Sequence, residues 1–255
     1  MRRPDAGARL DDAQAAAADR GLKAMVPVDG RPFLDYVLSG LADAGVRDVC
    51  LVVASGSRDV RDHYAASPPG RVRLAFAVQQ EPRGTADALL AAEGWIGGED
   101  FLALNSDNLY PVSAYRALLA LGRPGLPVFE REELLRRSNF PGERVERYAV
   151  LAIGEHGDLE RIVEKPGPDA LAAAGGDVFL SMNLWRFPAG IFEACRRVPR
   201  SARGEFELPQ AVGFGIAELG LRFSTFRCSE GVLDLSTRAD IAAVAERLRW
   251  LEARP

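Results

Sequence analysis

Residues 1–22 are polar and alanine-rich, with Met1, Leu10 and Leu22 their only large apolar side chains, and they offer no strand. From Pro32 the pattern changes. "PFLDYVLSGLADAG" sets Phe33, Tyr36, Val37, Leu41 and Ala44 on one helical face, with proline at the first turn and Gly45 as C-cap. "DVCLVVA" (48–54) is a continuous apolar run of the buried-strand type. "SRDVRDHYAA" then predicts a short helix, "VRLAFAVQ" (72–79) a strand, "GTADALLAAEGWI" (84–96) a helix and "DFLALNSD" (100–107) a third strand. Strand and helix alternating in this way predict an α/β fold: a mostly parallel sheet covered by helices on both faces.

The second half is less regular. "PVSAYRALLALG" and "EREELLRR" predict helices around a Gly/Pro-rich break, and "YAVLAIGEHGDLERIVEK" two strands joined by a glycine-containing turn. "VFLSMNLWRF" predicts one strand, followed by helices at 188–197 and 205–219 and a strand at "LRFSTFRC". "TRADIAAVAERLRWLEA" predicts a C-terminal helix with Thr237 as N-cap. The expected organisation is one domain over 1–255 with an inserted smaller α+β portion and an irregular N-terminal segment (1–22).

Composition narrows the class. The 255 residues are 47% hydrophobic and 27% charged, enough for a sizeable core. A net charge of −4 argues against a general nucleic-acid or membrane-surface binder. No apolar run approaches the roughly 20 residues that span a bilayer, and the start lacks the apolar core of a signal peptide, so cytoplasm is the expected location. Cys50, Cys195 and Cys228 are scattered, which reads as reduced thiols. His63 and His156 stand far apart, which disfavours zinc and Ser-His-Asp chemistry.

Several polar residues fall at strand ends, where open parallel sheets bind ligands. Gln79 closes one strand, and Gly84 and Thr85 open the next helix, a place for a phosphate or base edge or else an ordinary capped turn. Asp107 ends "FLALNSD", suited to Mg²⁺ or to a turn. Glu164 and Lys165 end a strand at Pro166, functional or a surface pair. Asn183 interrupts an apolar strand and needs a hydrogen-bond partner, and Asp234 precedes the last helix. Lysine occurs only at 23 and 165, every other basic residue being arginine. Those two positions are therefore candidates for a compact ammonium in place of a planar fork.

In order, "LKAMVPVDGRPFLDYVLSGLADAGVRDVCLVV", "QQEPRGTADALLAAE", "DFLALNSDNLY", "RIVEKP", "MNLWRF", "RGEFELPQAV" and "VLDLSTRADIAAV" resemble the sugar-1-phosphate nucleotidylyltransferases. The resemblance runs from Lys23 to about residue 245. It implies a Rossmann-like α/β fold and the Mg²⁺-dependent joining of a nucleoside triphosphate to a sugar 1-phosphate, with pyrophosphate released. It implies that Lys23 holds the triphosphate, and that Gln79, Gly84 and Thr85 read the base. Asp107 and Asp234 would bind the metal, and Lys165, Glu164 and Asn183 the sugar phosphate and sugar, within a portion spanning about 111–200. The implied partners are these two small substrates, with neither nucleic acid nor membrane; a homo-oligomer is left open, as are base and sugar. A non-catalytic regulatory or nucleotide-sugar-binding subunit of the same fold is the alternative.

One departure stands out. The family resemblance calls for a buried strand and a Gly-rich loop before the lysine, and only "DAGARL" (5–10) faintly answers. Either the loop has degenerated with Arg9 as its remnant, or the chain as given starts late. A central strand cannot be dropped without exposing its neighbours, so the expectation is the late start, with a gap or unpaired edge in the sheet and a poor triphosphate site. The charged stretch 129–148 is expected to be a solvated helix, with a lid or an oligomer contact as the other readings.

Overall fold

The computed structural model describes residues 10–164 and 178–255. Thirteen strands occur among them: β1 (Pro27–Val28), β2 (Arg31–Pro32), β3 (Asp48–Ala54), β4 (Arg73–Gln79), β5 (Phe101–Ala103), β6 (Asn108–Leu109) and β7 (Gly125–Glu130), then β8 (Ala149–Ile153), β9 (Leu159–Val163), β10 (Phe179–Ser181), β11 (Trp185–Phe187), β12 (Ser224–Arg227) and β13 (Leu233–Asp234). The helices are α1 (Asp12–Arg20), α2 (Phe33–Asp43), α3 (Asp59–Ala66), α4 (Thr85–Ala91), α5 (Glu93–Ile96), α6 (Val112–Ala120) and α7 (Arg131–Arg137), then α8 (Ile191–Arg197), α9 (Leu208–Leu219) and α10 (Asp240–Leu248). None of these helices is long and apolar enough to cross a membrane.

The largest sheet runs β5-β11-β7-β10-β8-β9, with β12 on the other edge of β7. The α/β class stands, but the sheet is mixed. Only β12–β7 and the separate pair β3–β4 are parallel. The reason is local: β8 and β9 form a hairpin, and β10 and β11, three residues apart in sequence, both lie antiparallel along β7. Parallel neighbours would have needed a long crossover at each step.

Three expectations fail in instructive ways. The Gly/Pro-rich break contains β7, whose first five residues are all buried. Pro127 is tolerated there because β11 pairs at Gly125 and β10 from Phe129 onward, leaving no partner opposite it on that side. "VFLSMNLWRF" is two strands, because Asn183 takes a left-handed φ of 59° and breaks the run. The 1–22 segment is not irregular throughout: α1 is closed by a capping box between Asp11 and Gln14 and ends at Gly21.

The expected open edge is present. Among the described residues β3 pairs only with β4, in a two-stranded sheet of its own. No strand comes from residues 10–22, and residues 1–9 lie outside the described ones. Beside β3 runs an apolar trough of about 1050 Å³, lined in part by Val49, Leu51, Val53, Leu102 and Leu104. Two cores flank it, one around α2, Tyr115 and Leu118, the other around Trp185, Phe187 and Phe223.

Candidate active site

Lys23 opens a single 3-10 turn, Lys23–Met25, immediately before β1. Its Nζ donates to Asp107 Oδ2 at 2.7 Å, with both side chains partly open to solvent. Asp107 lies beyond β5, which ends at Ala103, four residues short of the carboxylate that the sequence places on the strand. The loop is held instead by its partner segment: Leu235 N donates to Asp107 O at 2.9 Å, and β6 pairs with β13 so that Asn108 faces Asp234. The two candidate metal carboxylates are thereby neighbours, although 127 positions separate them in the chain numbering from 107 to 234.

Their environments differ. Asp234 is buried, and its Oδ1 accepts from Ser236 Oγ (2.7 Å) and Asn108 Nδ2 (3.2 Å). Its Oδ2 accepts from the Arg144 guanidinium (2.9 Å) and Tyr148 OH (3.2 Å). A carboxylate has about four lone-pair sites, so Asp234 is fully engaged. Burial raises its pKa and the nearby Asp107 charge raises it further, against the lowering by Ser236 and Arg144. Arg144 also holds Asp240 through both guanidinium nitrogens, at 3.0 and 2.8 Å. Burial would lower the Arg144 pKa, yet Asp240 and Asp234 raise it overall.

Arg144 and Asp240 of this network went unread in the sequence. Arg144 sits in the stretch expected to be a solvated face, and it is buried. Thr237 does not cap the last helix; it donates its N–H and Oγ to Asp240 Oδ2, and the N-cap is Ala239 without a side-chain bond. An acid inside "TRADI" opposite an arginine in "GERVERY" left no local signal, because the pairing is made across the fold.

Gln79 closes β4 as expected, and its Nε2 lies 3.0 Å from Gly84 O and 2.9 Å from Asp87 Oδ2. Gly84 has φ 118°, and a Cβ there would fall 2.4 Å from Phe206 O, so the position requires glycine. Thr85 turns its Oγ1 to the Leu208 N–H at 2.8 Å instead of capping its own helix. Asn183 lines the trough together with Lys23, Thr85 and Asp107. Its Oδ1 is a buried acceptor without a partner among the described residues. Glu164 lies within electrostatic reach of Arg203, whose guanidinium is raised chiefly by Glu207. Lys165 lies outside the described residues.

As a donor set for a cation, the arrangement carries three carboxylates (Asp107, Asp234, Asp240) against two cations (Lys23, Arg144), one negative charge in excess. Among the described residues no three His, Cys, Asp or Glu side chains converge as a ready metal cluster. Asp107 and Asp234 are a donor set that Mg²⁺ can use, since it takes one or two carboxylates and completes its shell with water and phosphate oxygens.

The model of the nucleotidyl transferase family matches residues 18–215. The chain belongs to that family. It is 29% identical over 234 residues to the UTP–glucose-1-phosphate uridylyltransferase AglF of Haloferax volcanii, covering 89% of this chain and 88% of the relative. It is also 29% identical over 191 residues to a glucose-1-phosphate thymidylyltransferase of Streptomyces antibioticus, covering 74% of this chain and 50% of that protein. Among solved structures, a UDP-glucose pyrophosphorylase complexed with UDP-glucose superimposes with a TM-score of 0.72 at 17% identity, covering 89% of this chain and 90% of that one. This nucleotidyl transferase therefore shares the fold of the pyrophosphorylases, and its Lys23, Gln79, Asp107 and Asn183 all fall inside the matched span.

Proposed function

We propose that the protein is a Mg²⁺-dependent sugar-1-phosphate nucleotidylyltransferase of the cytoplasm. The observation that carries this reading is the Lys23–Asp107 pair at the mouth of the trough, with Asp234 beside it, in a chain of this family. UTP and glucose 1-phosphate are the first substrates to try, being those named for a relative.

A phosphate oxygen of the sugar 1-phosphate attacks the α-phosphorus of the triphosphate, one P–O bond forms, and the bond to pyrophosphate breaks. The attacking oxygen is already anionic, so no general base and no covalent enzyme intermediate is needed. What the reaction does need is positioning of two polyanions and neutralisation of charge in the transition state. Lys23 supplies one such charge, leaving Asp107 for the triphosphate. Asp107 would hold Mg²⁺, and Asp234 would join it by releasing one of its four donors; bound there, the ion would neutralise phosphate charge. Gln79, Gly84 and Thr85 receive the base, and Asn183 Oδ1, unpaired among the described residues, is the acceptor for a sugar hydroxyl. Glu164 and Lys165 take the sugar phosphate end, within the portion spanning about 111–200.

Pyrophosphate release with both substrates and Mg²⁺ tests this. Release should require both substrates, stop with EDTA, and fall by about 100-fold or more in Lys23→Ala. Nucleotide binding without any release would favour the non-catalytic subunit.

A further inference from the structure

We infer that Arg144 is a positioning residue that sets when the metal can bind. Braced by Asp240, it holds a positive charge against Asp234, so Asp107 and Asp234 take a divalent cation well only together with the triphosphate. The inference rests on the reading above that these two carboxylates hold Mg²⁺.

The brace draws on several parts of the chain. Arg144 belongs to the 3-10 turn Gly142–Arg147, where Val145 is buried beside it, and its guanidinium carbon lies 6.0 Å from the centroid of the Phe140 ring. Both of its terminal nitrogens reach Asp240, and one of them also reaches Asp234. Asp240 is fixed in turn. Besides Arg144, its Oδ2 accepts from Ser236 N (3.1 Å), Thr237 N (2.6 Å) and Thr237 Oγ1 (2.9 Å). The side chains of Arg144, Asp234 and Asp240 are 9%, 4% and 4% exposed, so these charges meet little solvent screening.

That placement decides what Asp234 can do. Its other donors, Ser236 Oγ, Asn108 Nδ2 and Tyr148 OH, are neutral groups that can turn aside for a cation. Arg144 cannot follow them, because its planar fork is already committed to Asp240. A divalent ion arriving at Asp234 therefore meets a fixed positive charge in a poorly screened interior.

The sign of the consequence follows from counting charges. Asp107, Asp234 and Asp240 stand against Lys23 and Arg144, an excess of one negative charge, which a bare divalent ion overshoots. A triphosphate arriving with the ion supplies the missing negative charge. Without the Arg144 charge the excess becomes two and matches a bare divalent ion. Without the Asp240 charge it falls to zero.

The test titrates the full-length protein with Mn²⁺ in the absence of nucleotide, reading free Mn²⁺ by electron spin resonance. Arg144→Gln should bind Mn²⁺ at least about tenfold more tightly than the native protein, and Asp240→Asn at least about tenfold more weakly. The double variant restores the native count and should return close to native affinity. A merely structural brace predicts the opposite sign: Arg144→Gln would strand two buried carboxylates, loosen the site and weaken Mn²⁺ binding, and that result overturns the inference. Unchanged affinity overturns it as well. Should Arg144→Gln fail to fold by circular dichroism, Asp240→Asn and the double variant still differ only at Arg144, and equal Mn²⁺ affinities for those two overturn the inference. Calorimetric titration with UTP, with and without Mg²⁺, tests the metal reading separately. The native protein should bind UTP more tightly with Mg²⁺, and Asp107→Asn should lose that difference. If the native protein shows no such difference, the metal reading falls and takes the inference with it. If the difference is present while Arg144→Gln fails to tighten Mn²⁺ binding, the inference alone falls.

Discussion

β3 and β7 are both continuous apolar runs, "DVCLVVA" and "GLPVFE", and they have opposite fates. Five successive residues of β7 are buried, whereas in β3 only Val53 is, at 8% exposure, and Val52 is 37% exposed. The difference lies in neighbours. β7 pairs on both edges, with β12 on one and β10 and β11 on the other, while among the described residues β3 pairs with β4 alone. Hydrophobicity is a property of the strand; burial is a property of its place in the sheet.

The comparison can be broken most directly by truncation in the closed half. Trp185 stacks on Phe187 with ring centroids 5.2 Å apart and meets Phe223 edge-on at 5.9 Å. Trp185→Ala should cost about 3–5 kcal/mol in urea unfolding. Leu51→Ala, on the wall of the trough, should cost about 1 kcal/mol or less, because its side chain is only half-buried to begin with. Similar costs for the two would erase the distinction between closed and open regions.

A smaller effect is expected at Gly84, where α4 begins against the Phe206 backbone. Alanine there must adopt a strained positive φ and push back the Phe206 carbonyl. The expected loss is about 1–3 kcal/mol, concentrated in UTP affinity by calorimetry if the rest of the sheet absorbs little of it. The mildest probe is chemical. Burial pushes the Cys195 thiol up to about 12, so at pH 8 roughly one molecule in 10⁴ carries the thiolate. Cys195 should resist alkylation until the protein unfolds. Cys50, half-buried beside the trough with its thiol also raised by burial, should react in the native state. Equal rates would mean that the trough opens no more readily than the closed core.

Much of this arrangement is legible in the chain itself, where signals are local. The apolar runs "DVCLVVA" and "VRLAFAVQ" specify β3 and β4 nearly to the residue, and proline at 32 marks the start of α2. β7 was hidden because Pro127 normally argues against an interior strand, and its tolerance depends on a gap between two partners remote in sequence. Asn183 shows as a polar interruption, but its left-handed backbone needs the structure. The ordered motifs single out Lys23, Asp107, Gln79 and Asp234. The supports of those residues, Arg144, Asp240 and Asp87, are ordinary charged residues on ordinary helices and turns, and only the fold gives them partners.

The tie between the Gly84–Thr85 turn and the segment after Phe206 has a consequence for biosynthesis. The Thr85–Leu208 bond spans 123 positions and the Asn108–Asp234 bond spans 126. α2 and the β3–β4 unit are built from near neighbours in sequence and are complete early as the chain leaves the ribosome. The Gly84–Thr85 turn gains its backbone partners only after residues 206–208 have emerged, and the Asp107 loop is fixed only once β13 follows. Assembly of the site is therefore the slow, long-loop step of folding, and nascent chains ending before β13 carry most of the scaffold without a finished site.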